Sequence, residues 1–99
     1  MIKTGRTNLI TDVPGIQVGN AQNETLRSGV TVIIPEEPAI ASVDVRGGGP
    51  GTRETEALGA DCLVDVIHGI VLSGGSAYGL ESASGVMSYL AEKKIGFEL

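Results

Sequence analysis

The chain has 99 residues and carries 7 basic against 12 acidic side chains, a net charge of −5. That length is one domain or a piece of one, and the seven cations are scattered, so no basic stripe exists to neutralise a nucleic acid. A single cysteine, Cys62, and a single histidine, His68, exclude an internal disulfide and a clustered Cys/His zinc site, and no run of about 18 apolar residues is present to span a membrane.

Residues 1–6 lack the apolar stretch of a secretory signal, and the lone thiol suits a reducing compartment, so a cytoplasmic location is expected. Apolar residues make up 41% of the chain but only Tyr78, Tyr89 and Phe97 are aromatic, so any core is built from Val, Ile, Leu and Ala.

Asp12-Val13-Pro14-Gly15 reads as a turn, because Pro presets one backbone angle and Gly accepts the left-handed one. Residues 16–19 alternate and read as a short strand. Residues 20–28 are polar and read as a surface loop. The β-branched run 29–34 ends at Pro35 and is a strand. Residues 39–46 alternate with period two, which predicts a second strand. The short connection Glu36-Glu37-Pro38 predicts that these two form an antiparallel hairpin.

Gly47-Gly48-Gly49-Pro50-Gly51 is a loop whose backbone is sharply bent or closely approached. A short helix is expected over 52–58, with Thr52 as N-cap and Gly59 as its end. Asp61 is expected to cap a further turn carrying Leu63 and Val64. The apolar run 66–72 predicts a single buried strand. From Ser76 onward, Leu80, Ala83, Met87 and Leu90 recur at helical spacing, with Val86 beside them. Gly79, Ala83 and Gly85 are small enough for another backbone to pack closely. Lys93 and Lys94 suit the negative end of the helix dipole, Gly96 is expected to end the helix, and residues 95–99 begin a further strand.

Two glycine-rich junctions are candidates for chemistry. The 47–53 loop lies between a strand and a helix, the setting of a phosphate cradle. It lacks the Gly-Lys-Ser/Thr end of a P-loop and the last Gly of G-x-G-x-x-G, having Thr52 and Arg53 instead. It either packs against other backbone or lends amides to an anionic site. Residues 74–78, Gly-Gly-Ser-Ala-Tyr, resemble a G-x-S-x-G nucleophile elbow except that Tyr78 replaces the second Gly. His68 precedes the serine by a whole strand, a poor position for its base. The simpler role for Ser76 is helix N-cap, with amides beside it able to favour an oxyanion. Tyr78 is either a packed ring or a hydroxyl facing a site.

Taken in order, Asn8-Leu9-Ile10-Thr11-Asp12-Val13-Pro14-Gly15-Ile16-Gln17-Val18-Gly19, residues 29–33, residues 43–55 and His68-Gly69-Ile70-Val71-Leu72-Ser73-Gly74-Gly75-Ser76-Ala77-Tyr78-Gly79-Leu80 resemble the N-terminal part of the DmpA-type aminopeptidases. These are the L-aminopeptidase/D-esterase or S58 peptidases, related to β-peptidyl aminopeptidases and nylon-oligomer hydrolases.

The resemblance implies an α/β (α+β) fold, the N-terminal portion of a four-layer α-β-β-α sandwich, with residues 1–99 as part of the α chain. It implies a precursor that cleaves itself into α and β chains, whose new N-terminal Ser or Thr is the nucleophile and lies beyond residue 99. It also implies short peptide, amide or ester substrates, no metal or organic cofactor, association with the missing C-terminal part or β chain, and a homo-oligomer of αβ units. By this resemblance Tyr78 serves the oxyanion or orients the nucleophile, while Gly74, Gly75, Ser76, Gly48 and Gly49 line the substrate site, and the 99 residues alone are inactive. Two other readings compete: a small anion- or nucleotide-binding domain without catalysis, and a serine hydrolase using Ser76.

Overall fold

The computed structural model describes residues 2–59 and 66–96. Its architecture is α+β, with a three-stranded antiparallel sheet, a two-stranded antiparallel sheet, two helices and two 3₁₀ turns. The main sheet contains β1 (Ile16–Asn23), β2 (Ser28–Pro35) and β5 (Ile70–Ser73) in the order β1-β2-β5. The small one pairs β3 (Ala39–Ile40) with β4 (Val66–Ile67). Helices α1 (Ser76–Gly79) and α2 (Ser82–Glu92) follow β5.

β1 runs four residues further than the alternation of 16–19 predicts. Polar side chains at Asn20, Gln22 and Asn23 do not end it, because its backbone ladder to β2 continues to Asn23↔Ser28. One rung is reinforced laterally, as the Thr31 hydroxyl donates to Asn20 Oδ1 at 2.6 Å. A strand is set by pairing as much as by apolar alternation. The hairpin closes where Asn23 Oδ1 accepts the Leu26 amide at 3.0 Å and Arg27 takes φ +50°. The Asn side chain mimics a backbone turn there.

The expected 29–34/39–46 hairpin does not form. β2 pairs with β1 and β5, and only Ala39 and Ile40 of the second run are strand, hydrogen-bonded to β4. Residues 41–46 have no partner strand among the described residues, and period-two alternation alone supplies none. Within that stretch Arg46 Nε donates to Asp44 Oδ2 at 2.7 Å, both side chains standing in solvent. The run 66–72 is likewise two strands rather than one. It breaks at His68-Gly69, so that its first half enters the small sheet and its second half the main one.

The predicted 52–58 helix is a 3₁₀ turn over Thr55–Leu58. Glu54, not Thr52, stands at its N-cap with φ +67°, and Gly59 closes it as expected. The expectations at Asp61, Leu63 and Val64 lie outside the described residues, as does most of the strand expected over 95–99. The turn expected at residues 12–15 is present but begins earlier, as a 3₁₀ turn over Ile10–Asp12. Asp12 organises it, accepting the Thr7 hydroxyl and the Thr7 and Leu9 amides. The Thr7 hydroxyl, then the Thr7 amide, hold its carboxyl below the usual carboxylate range.

The helical pattern is interrupted between Gly79 and Ser82. The Leu80 amide donates to Ala77 O, Glu81 to Tyr78 O and Ala83 to Leu80 O, all three-residue steps that tighten the chain into a bend between α1 and α2. The helix ends at Glu92, earlier than Gly96. Lys94 takes φ +56°, its amide donates to Ala91 O at 3.1 Å, and the Ile95 amide donates to Leu90 O at 2.9 Å. This is a Schellman cap with a lysine where glycine is usual. An L-residue in that conformation costs roughly 1–2 kcal/mol, part of which glycine's extra unfolded-state entropy offsets. Lys94→Gly is therefore expected to raise stability to urea by about 0.5–1 kcal/mol; an unchanged or lower midpoint counts against the cap.

The registers put Gln17, Gly19, Ala21, Asn23, Ser28, Val30, Val32, Ile34, Val71 and Ser73 on one face of the main sheet. α2 packs on that face over β5 and the adjoining part of β2, where a Cβ at Gly69 would lie 3.8 Å from Ile34 and 3.9 Å from Leu90, while Gln17, Gly19, Ala21 and Asn23 of β1 stay exposed. Leu80, Ala83, Val86 and Leu90 are half-buried, as the helical spacing predicts, but Met87 is 54% exposed. The opposite face carries Ile16, Val18 and Ile33, which are half-buried, and Ile70 and Leu72, which are 41% and 58% exposed. No described residue is fully buried. One α layer and one β layer are thus present, and the apolar side chains of β5 on the far face of the sheet are exposed among the described residues.

Candidate active site

The β5–α1 junction folds as a cradle of backbone. The Gly74 amide donates to Gly29 O at 2.9 Å, tying the end of β5 to β2, and Ser73 Oγ donates to Gly74 O at 2.9 Å. Gly75 then takes φ +94°, which reverses the chain, and its carbonyl accepts the Gly79 amide at 3.0 Å. Each glycine has a steric reason. A Cβ at Gly74 would lie 2.7 Å from Ser28 Oγ, one at Gly75 3.1 Å from the Gly79 Cα, and one at Gly79 would fall on the Gly74 carbonyl oxygen.

Ser76 is not the side-chain N-cap expected. Gly75 occupies the N-cap position, with no side-chain cap bond. Ser76 is the first residue of α1 and takes φ +57°, a conformation that is strained for an L-residue. Its hydroxyl makes no hydrogen bond among the described residues. His68 precedes β5 while Ser76 follows it, so these two do not form a nucleophile–base pair.

Beside the cradle lies an open cleft of about 670 Å³, bordered by Asn23, Ser28, Gly74, Gly75, Tyr78 and Ser82 together with Ala21, Val30 and Leu26. Its size is within the roughly 300–1,000 Å³ of small-ligand sites. Its lining is uncharged and mostly apolar, with Gln22, Asn23, Ser28, Ser73, Ser82 and the Tyr78 hydroxyl as its polar side-chain groups. Such a wall offers hydrogen bonds to a neutral amide or ester. Tyr78 stands at the edge with 93% of its surface exposed, and nothing among the described residues hydrogen-bonds its hydroxyl. The packed-ring alternative for Tyr78 is therefore not what these residues form.

Of the six site residues expected from sequence, the structure brings Gly74, Gly75 and Tyr78 to one cleft, with Ser76 adjoining them in the chain. Gly48 and Gly49 do not border it. They sit in an exposed loop where a Cβ would meet nothing within 4 Å, so that loop is not held by close backbone packing. It leads into a turn with Glu54 at the N-cap and Glu56 in the first turn, which repels rather than attracts a phosphate. Arg53 at its end crosses to α2. Nη1 lies 3.3 Å from Leu80 O and 3.1 Å from Ser84 Oγ, and Nη2 lies 3.5 Å from Met87 Sδ. These contacts join residues 27 to 34 positions apart in the chain, which local sequence pattern does not carry. Asn23 and Ser28, expected in a surface loop over 20–28, instead face each other as the last pair of the β1–β2 ladder. Among the described residues no three His, Cys, Asp or Glu side chains converge as metal ligands, and no helix is long and apolar enough to cross a membrane.

The chain has well-matched relatives. It is 45% identical over 97 residues to an uncharacterized aminopeptidase of Mycobacterium tuberculosis, covering 90% of this chain and 28% of that protein. A second uncharacterized aminopeptidase, from Mycobacterium leprae, is 42% identical over 97 residues, covering 90% of this chain and 27% of its own length. A 6-aminohexanoate-oligomer endohydrolase of Kocuria sp. is 41% identical over 90 residues, covering 91% of this chain and 23% of that enzyme. The chain thus spans about a quarter of the length of these curated relatives. The model of peptidase family S58 matches residues 8–98, nearly the whole of the sequence, and the chain belongs to that family.

Proposed function

We propose that this chain is the N-terminal part of the α chain of a hydrolase that removes N-terminal residues from short peptides, amides or esters. The nucleophile is the N-terminal Ser or Thr of a β chain released by self-cleavage beyond residue 99, and its own α-amine serves as base. This chain supplies one wall of the site. Tyr78 donates its hydroxyl to the developing oxyanion or to the nucleophile, and the Gly74–Gly75 backbone lets the scissile group approach closely.

The observation that carries the reading is the Tyr78 hydroxyl, exposed at the rim of an uncharged cleft and without a partner among the described residues. Membership of a peptidase family and relatives named as aminopeptidases and as an amide-oligomer hydrolase support it. The exposed Ile70 and Leu72 of β5 support a further layer: they lie on the sheet face on which the remainder of a four-layer α-β-β-α sandwich would pack. The lone Cys62 supports a cytoplasmic setting, and the αβ units are taken to assemble as a homo-oligomer. No metal or organic cofactor enters this chemistry.

Expression of the gene with its downstream sequence tests the reading. Two fragments are expected, the second beginning with Ser or Thr by N-terminal sequencing, together with release of p-nitroaniline from amino-acid anilides. The 99 residues alone are expected to release none. An uncleaved, inactive product that still folds counts against the reading.

A further inference from the structure

We infer that Arg53 is a positioning residue that fixes the direction of Tyr78 by stapling the bend between α1 and α2. The inference rests on the reading of Tyr78 as the hydroxyl that faces the substrate. The ring of Tyr78 is 93% exposed, so side-chain packing does not hold it. The bond that carries it, Cα–Cβ, is aimed by the backbone of α1, a helix of one turn that cannot hold itself. On the N-terminal side that turn is fixed by the contact of Gly79 with Gly74 and Gly75. On the C-terminal side it ends at Leu80, whose carbonyl already serves the tight step to the Ala83 amide at 3.2 Å. At such a break the carbonyls lack the regular helical donors and need others.

Arg53 adds a second donor at one of them, Leu80 O. One nitrogen of its planar fork bridges Leu80 O and Ser84 Oγ, on the two sides of the bend, while the other reaches Met87 one turn further along α2. The guanidinium therefore spans the end of α1 and the first two turns of α2. In the preceding loop, Gly47, Gly48, Gly49 and Gly51 have no neighbour within 4 Å of a Cβ position. A lysine offers one charged nitrogen and cannot reproduce the fork.

The test is a double-mutant cycle in the complete, processed enzyme, with kinetics on an amino-acid anilide and amide hydrogen exchange over residues 78–86. Arg53→Met is expected to lower kcat roughly tenfold with KM within about twofold, because a misdirected hydroxyl affects the transition state more than ground-state binding. Arg53→Lys is expected to recover part of the loss. In a Tyr78→Phe background Arg53→Met is expected to cost nothing further, since the hydroxyl it directs is gone. Exchange at Leu80–Ser84 is expected to accelerate in Arg53→Met.

An unchanged kcat, or the same loss in both backgrounds, overturns the inference. Should Arg53→Met fail to fold, Arg53→Lys and Ser84→Ala carry the same cycle with smaller effects, and a loss that persists in Tyr78→Phe again overturns it. A parent enzyme that hydrolyses no amide removes the proposed function instead. The staple is then judged by exchange alone, and unaltered exchange at Leu80–Ser84 refutes it.

Discussion

Tyr78→Phe is expected to lower kcat of the processed enzyme by about 100-fold, the usual loss on removing one oxyanion donor, roughly 2.7 kcal/mol. KM is expected to stay within about twofold, because a bond made in the transition state contributes little to ground-state binding. The fold should be unaffected. The ring is 93% exposed and its hydroxyl has no partner among the described residues, so the substitution removes neither packing nor an internal hydrogen bond. Circular dichroism and urea midpoint are expected to match those of the parent. This separation makes the experiment decisive: a stable variant with unchanged turnover removes Tyr78 from the chemistry. A variant with raised KM and intact kcat would make it a binding group instead.

The parts of the fold most legible in the sequence were those where local chemistry and tertiary partner agree. The run 29–34 is β-branched and also sits between two neighbours in the sheet, so its pattern and its environment demand the same thing. The stripe of Leu80, Ala83 and Leu90, which runs from the bend into α2, is legible for the same reason. The misreadings fall where the two separate. Residues 20–23 look like loop by polarity, yet the ladder to β2 holds them as strand. Residues 41–46 look like strand by alternation, yet nothing among the described residues pairs with them. Residues 66–72 read as one apolar run, while His68-Gly69 divides it between two sheets, a matter of topology that periodicity does not carry.

The site shows a similar division. Gly74, Gly75 and Tyr78 could be singled out because a glycine pair at a strand–helix junction is a local feature. Asn23, Ser28 and Arg53 could not, since their relevance comes from contacts with β5 and α2, made between distant parts of the chain. The resemblance to a known family covers the motifs that carry Tyr78 and Arg53, but not the fold that brings Arg53 to the bend after α1.

Gly79→Ala is expected to be the most damaging small substitution in the chain. A Cβ at that position falls on the Gly74 carbonyl oxygen, which also accepts the Ser73 hydroxyl. The obstacle is backbone on both sides, so no side chain can swing away. The neighbouring Gly75 has φ +94° and already approaches the Gly79 Cα, leaving the turn no slack in which to move. Forcing one methyl into such a site costs roughly 2–3 kcal/mol, and displacing α1 also misdirects Tyr78.

Gly85→Ala is the matched control. It lies inside α2 with nothing within 4 Å of its Cβ position, so replacing a helical glycine by alanine should add about 0.5–1 kcal/mol of stability. Urea unfolding and anilide hydrolysis of the two variants are expected to diverge in opposite directions from the parent. The sequence presents both as glycines in one helical pattern; only the strand–turn–helix geometry distinguishes them. Equal stabilities for Gly79→Ala and the parent would mean that α1 does not sit against the Gly74 carbonyl, and the cradle beside Tyr78 would have to be redrawn.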